Sequence, residues 1–180
     1  MTLRLGAGVA ICAAVASLLS ADTSAQAPGA GQGWMGEFEH SSQQALQLAD
    51  AIPADKFAWR PAPGVRSVSE VYMHLAIGNY YLLGQAGLKP SVDVSTLGKE
   101  PEKGLTAKAD VVKFVKASFD AVRAAYPTAD KSKAVRFFDR DATVDSVFLR
   151  LLVHNHEHMG QAIAYARVIG VAPPWSSGGQ

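Results

Sequence analysis

Cysteine is all but missing. Cys12 is the single copy in 180 residues, and it lies inside an apolar run near the start. No disulfide framework, cysteine nucleophile or thiolate metal ligand can be built from it, so any bound metal must be held by nitrogen and oxygen. An excess of one charge is missing too: the net charge is +1. Basic residues gather only mildly, at Lys103, Lys108, Lys113 and Lys116 and at Lys131, Lys133 and Arg136. Solvated helix faces account for these better than a nucleic-acid footprint, which needs a denser basic stripe. Nucleic acid is therefore not an expected partner. No internal repeat is visible, and no stretch reads as a convincing strand.

One long apolar run exists, Leu5 to Leu19, after the positive start at Arg4 and before small residues from Ser20 to Ala27. That is the pattern of a secretory signal peptide. Ala25-Gln26-Ala27 fits the small-x-small rule, but cutting after Ala27 would leave Pro28 next to the cut. Cutting after Ala25, with Thr23 three residues from the cut, avoids this and is preferred. The rival reading is an uncleaved membrane anchor, for which the run is shorter than the roughly 20 residues of a spanning helix. Val9-Ala10-Ile11 before Cys12 is not a lipobox. The expectation is a leader over 1–25, a secreted or periplasmic protein, and no stable membrane insertion once the leader is removed.

The remaining roughly 150 residues suffice for one domain burying about two-thirds of its chain surface. Residues 26–33, rich in Pro, Gly, Ala and Gln, read as a disordered linker. From Trp34 a helical period begins: Phe38, Ala45, Leu48 and Ala49 recur at three- and four-residue steps until Pro53. Prolines at 61 and 63 forbid a continuous helix in the connection that follows, whose Phe57 and Trp59 are placed to plug a bundle end. Ser67 and Glu70 form a capping box for a second helix from Val68 to about Ala86. Its Val71, His74, Leu75, Gly78, Tyr81 and Leu82 share a face. Gly87 to Gly104 reads as loop. Thr106 can cap a third helix that Pro127 stops, and Asp141 or Thr143 a fourth, which Gly170 ends. The predicted fold is all-α: a four-helix bundle over 34–175 with long connecting loops, a crossover topology allowed, and a tail at 176–180.

Three histidines carry the chemistry. His154 and His158 stand four apart in Val144, Val147, Phe148, Leu151, His154, His158, Ala162, Tyr165, Ile169, one continuous helical stripe. Side chains so spaced project from one face, one turn apart. His74 lies in the apolar stripe of the second helix. Each could be a core histidine satisfied by its own hydrogen bond, but three buried separately need three polar partners, whereas one divalent ion satisfies all. A three-imidazole site leaves coordination positions open, as catalytic rather than structural metals do. Zinc, nickel and iron(II) all accept this donor set. Such an ion keeps its full charge and acidifies bound water or thiol. His156, rotated about 200° from the pair, faces away, and His40 is expected at the surface. The stretch is not a His-Glu-x-x-His motif, since Gly160 stands where the second histidine would have to be, three residues after Glu157. Gln161, Tyr81, Glu70 and Gln44 are the polar residues near the right turns to hold the rings' outer nitrogens, although helix surface or capping is the preferred reading for each of them. No general acid or base is assigned.

Pro61 to Leu75, then His154-x-x-x-His158-Met159-Gly160-Gln161, then Tyr165-Ala166-Arg167 and Gly170-Val171-Ala172-Pro173-Pro174 together resemble the DinB-like (DinB/YfiT) family of metal-binding bundles, over nearly everything from Trp34 to Trp175. The resemblance implies a divalent metal on His74, His154 and His158. It also implies, for members with known activity, thiol-dependent S-transfer or isomerisation. Three readings follow: an exported metal-dependent hydrolase or thiol S-transferase acting on a small molecule; a metal- or small-molecule-binding module without turnover; and a structural bundle whose histidines satisfy one another. A homodimer is compatible with each.

Overall fold

The structure, a computed structural model, describes residues 29–178. The expected leader over 1–25 and the first part of the expected linker, 26–28, lie outside the described residues. Residues 29–32, also assigned to the linker, make a turn closed by Gln32 N–H on the Gly29 carbonyl at 3.1 Å. Its Gly29 oxygen lies against Gly36, where a Cβ would stand 2.1 Å away.

Four long helices carry the chain: α1 (Gly33–Ala51), α2 (Val68–Gln85), α3 (Lys108–Ala125) and α4 (Val144–Val168). The α2 start follows local chemistry: Ser67 Oγ accepts from Glu70 N–H while the Glu70 carboxylate accepts from Ser67 N–H. Thr143 caps α4 through Ser146 N–H, so Thr143 rather than Asp141 takes that place. Thr106 does not cap α3; Ala107 occupies the position with no side-chain bond. At its far end α4 stops at Gly170, whose φ of +82° lets Val171 N–H return to the Ala166 carbonyl at 2.8 Å.

Helices α1 and α2 each pack chiefly on α3 and α4. Two of the pairs consecutive in sequence, α1 with α2 and α3 with α4, therefore stand across the bundle from one another. Phe38, Leu48, Val71, Leu75, Val111, Phe119, Val147 and Leu151 fill the middle. Phe57, almost fully buried, stacks on Tyr72 with centroids 6.2 Å apart, and Trp59 meets Tyr165 edge-on. Both close one end of the bundle, as their place in the sequence suggests.

The expectation of no strand needs correction. Ala134–Phe137 (β1) and Arg140–Thr143 (β2) pair as an antiparallel hairpin with Ala134 opposite Thr143 and Phe137 opposite Arg140. Each strand is four residues, too short for period-two alternation to stand out. The turn Phe138-Asp139 also lacks the Asn-Gly pair that marks such hairpins. Val135 and Phe137 pack on the core's edge, and β1 lies beside α2 and α4.

Candidate metal centre

The α2 and α4 faces that meet in the core bring three imidazoles together. His154 is buried, and His74 and His158 are half-buried. The Nε2 atoms of His154 and His74 stand 3.2 Å apart. Ring centroids are 5.1 Å apart for His74–His154, 4.4 Å for His74–His158 and 4.5 Å for His154–His158. One ring nitrogen from each falls within 4.8 Å of the other two.

The outer nitrogens show which lone pairs face inward. His74 Nδ1 donates to Glu102 Oε1 at 2.6 Å, because a carboxylate can only accept. Glu102 is itself held by the Arg66 guanidinium, Nε at 2.6 Å and Nη2 at 2.9 Å. Partial burial works to raise the Glu102 carboxyl, but the Arg66 fork and the His74 ring outweigh it and keep the group below the ordinary carboxylate range. His158 Nδ1 donates to Gln161 Oε1 at 3.1 Å, and the Gln161 amide donates on to Tyr165 Oη at 3.1 Å. With Nδ1 so engaged, Nε2 is the nitrogen that each of these rings has left to offer an ion. This is how a carboxylate or amide behind a ligating histidine fixes its tautomer.

His154 is placed by shape instead. Its ring lies on Gly78, where a Cβ would come within 2.2 Å of Cε1 and 2.8 Å of Nδ1. Only glycine on α2 lets the α4 imidazole reach the centre. Its Nδ1 is buried without a hydrogen-bond partner. Burial first, then the neighbouring His158 and His74 rings, push its pKa down to about 3. The His158 imidazole is lowered as well, by burial against the opposing pull of Gln161. Both α4 imidazoles are therefore held toward the neutral form, the one that ligates a metal. Two nitrogens on one tetrahedral ion at ordinary zinc–nitrogen lengths stand about 3.3 Å apart, close to the spacing found here. The residues fit a divalent cation.

All three sequence-predicted ligands converge. His40 is exposed and outside the cluster, as expected; His156, expected at the surface, is half-buried and also outside it. Of the four polar candidates for the outer nitrogens, Gln161 takes the role. Glu70 serves the α2 cap and Arg60, and Tyr81 stands at the rim, 38% exposed, rather than in the core face. Gln44 makes no side-chain hydrogen bond to the site. Glu102 was not visible from sequence. It sits in a three-residue helical turn, Pro101–Lys103, inside a Pro- and Gly-rich loop with no periodicity, 28 residues from the ring it orients.

A family model described as the DinB superfamily matches residues 37–162. The fold is similar to that of a DinB-like protein from Bacillus cereus ATCC 10987, with a TM-score of 0.66 at 18% identity over 79% of this chain and 94% of that one. It is also similar to a DinB-like protein from Bacillus subtilis, with a TM-score of 0.55 at 16% identity over 74% and 90%. At these identities the likeness concerns the fold. No curated protein matches the chain.

Proposed function

The chain belongs to the DinB superfamily, and from that premise we propose that it is an exported, divalent-metal-dependent enzyme acting on a small molecule by hydrolysis or thiol S-transfer. The observation that carries the reading is the convergence of three imidazole nitrogens, with His74 and His154 Nε2 3.2 Å apart and the outer nitrogens of His74 and His158 already engaged. When bound, zinc, nickel or iron(II) would supply Lewis acidity and lower the pKa of water or a thiol. The protein's part is to hold three nitrogen donors together and leave ligand positions free. Glu102 and Gln161 orient the rings, and Gly78 admits His154. Export rests on the leader pattern in 1–25; among the described residues no helix is long and apolar enough to cross a membrane.

A second reading, binding without turnover, has one observation in its favour. The cleft next to His74 and His154 is lined by Ile77, Gly78, Tyr81, Leu82, Phe138 and Arg150 and carries no carboxylate to act as general base. Elemental analysis of untagged protein, followed by hydrolase and thiol-transfer assays with and without the metal, separates the two. The enzyme reading expects one metal per chain and metal-dependent turnover. His154→Ala should lose stoichiometric metal while keeping its helical circular dichroism; full occupancy in that variant would overturn the centre.

A further inference from the structure

The β1–β2 hairpin turns through a backbone conformation that its sequence does not favour. Phe138 and Asp139 both have positive φ, +47° and +61°, and form the two-residue loop between Phe137 and Arg140. Aspartate tolerates this region; phenylalanine belongs to the residues for which it is an outlier. Strain of this kind persists where surrounding structure holds it, and clusters at ligand sites. Here it sets an aromatic ring, 65% exposed, at the tip of the hairpin.

That ring does not face empty solvent on all sides. Its centroid is 6.4 Å from that of Tyr81, itself 38% exposed on α2. Behind the pair lies a cleft of about 340 Å³, within the range of small-molecule sites. Ile77 and Leu82 supply apolar wall, and the cleft ends on His74 and His154. Arg150 also lines it, but its guanidinium is matched by Glu157 at 2.8 Å, so the wall selects by apolar surface rather than by charge.

We propose that Phe138 and Tyr81 are specificity-determining residues: the aromatic mouth of a cleft that receives the apolar part, such as an aromatic ring, of a small substrate whose donor atom reaches the imidazole centre. The inference rests on the metal reading for the donor atom, and on the cleft alone for the apolar part. Imidazole and 4-phenylimidazole, which share one donor and differ by a ring, test it. On zinc-loaded protein, calorimetry should give 4-phenylimidazole at least about tenfold tighter binding than imidazole. In Phe138→Ala and Tyr81→Ala the ratio should fall to about threefold or less. On metal-free protein, 4-phenylimidazole should shift the backbone amide resonances of Ile77 to Leu82 and of Phe138, and imidazole at equal concentration should not. Equal affinities together with shifts elsewhere would overturn the cleft while leaving the metal centre standing. If zinc fails to bind, the metal-free arm still decides the cleft.

Discussion

The imidazole of His154 rests on the α-carbon of Gly78, so closely that a methyl group there would stand 2.2 Å from Cε1. A single hydrogen atom on α2 is what allows α4 to deliver its first ligand. Gly78→Ala should therefore turn the ring away and weaken zinc binding by at least about tenfold, with an overpacking cost of about 1–3 kcal/mol. Gly84→Ala on the same helix, where the space is open, is the control. Chelator-competition titration reads both; unchanged zinc affinity in Gly78→Ala would contradict the placement.

Glu102 orients His74 from a loop while Arg66 grips it from the other side. Replacing such a partner commonly costs about 10- to 100-fold in metal affinity. Glu102→Gln keeps the shape and removes the charge, and should fall in that range with the fold intact by circular dichroism. A change under about twofold would mean that the carboxylate is irrelevant to the donor.

Acid should destabilise the metal-free protein before its carboxylates titrate. The folded pKa of His154 is depressed to about 3, while an unfolded histidine takes its proton near pH 6.5. Between those values the unfolded chain binds more protons, so stability is complete above about pH 6.5 and is lost progressively as pH falls toward 3. Lowered His158 acts in the same direction, and lowered Glu102 and Glu70 add to it in the carboxylate range. Urea unfolding from pH 7 to 5 should show the slope, and His154→Gln should flatten it. A level profile in the unsubstituted protein would refute the assignment.

The left-handed backbone at Phe138 separates ring from strain. Phe138→Ala and Phe138→Gly both delete the ring, but only glycine relieves a φ of +47°. The glycine variant should be more stable than the alanine variant by about 1 kcal/mol. Thermal unfolding of the pair measures it, and an alanine variant at least as stable would show that no strain is stored there.

Much of this was legible from periodicity and punctuation. The stripe from Val144 to Tyr165, the Ser67–Glu70 box, Pro53, Pro127 and Gly170 set the helices, and the i, i+4 spacing put His154 and His158 on one face. What stayed hidden depends on contacts between distant segments. Glu102 has no local pattern to betray it. Gly78 was visible as a face residue, but its meaning lies in the ring opposite. The hairpin is held by packing of Val135 and Phe137 and not by its turn residues, so turn chemistry gave no signal for it. Thr106 failed as a cap because the chain enters α3 one residue later, where alanine stands.

Eighty residues separate the two rings whose Nε2 atoms stand 3.2 Å apart, and the carboxylate behind one of them arrives on a connection between. An ion offered to α4 alone meets a bare pair of donors; only a completed tertiary structure presents the third. Cation affinity and bundle assembly are then one equilibrium, with the ion adding stability in proportion to the logarithm of its concentration. Loading thus reports that folding has finished, and the centre doubles as a checkpoint on its own scaffold.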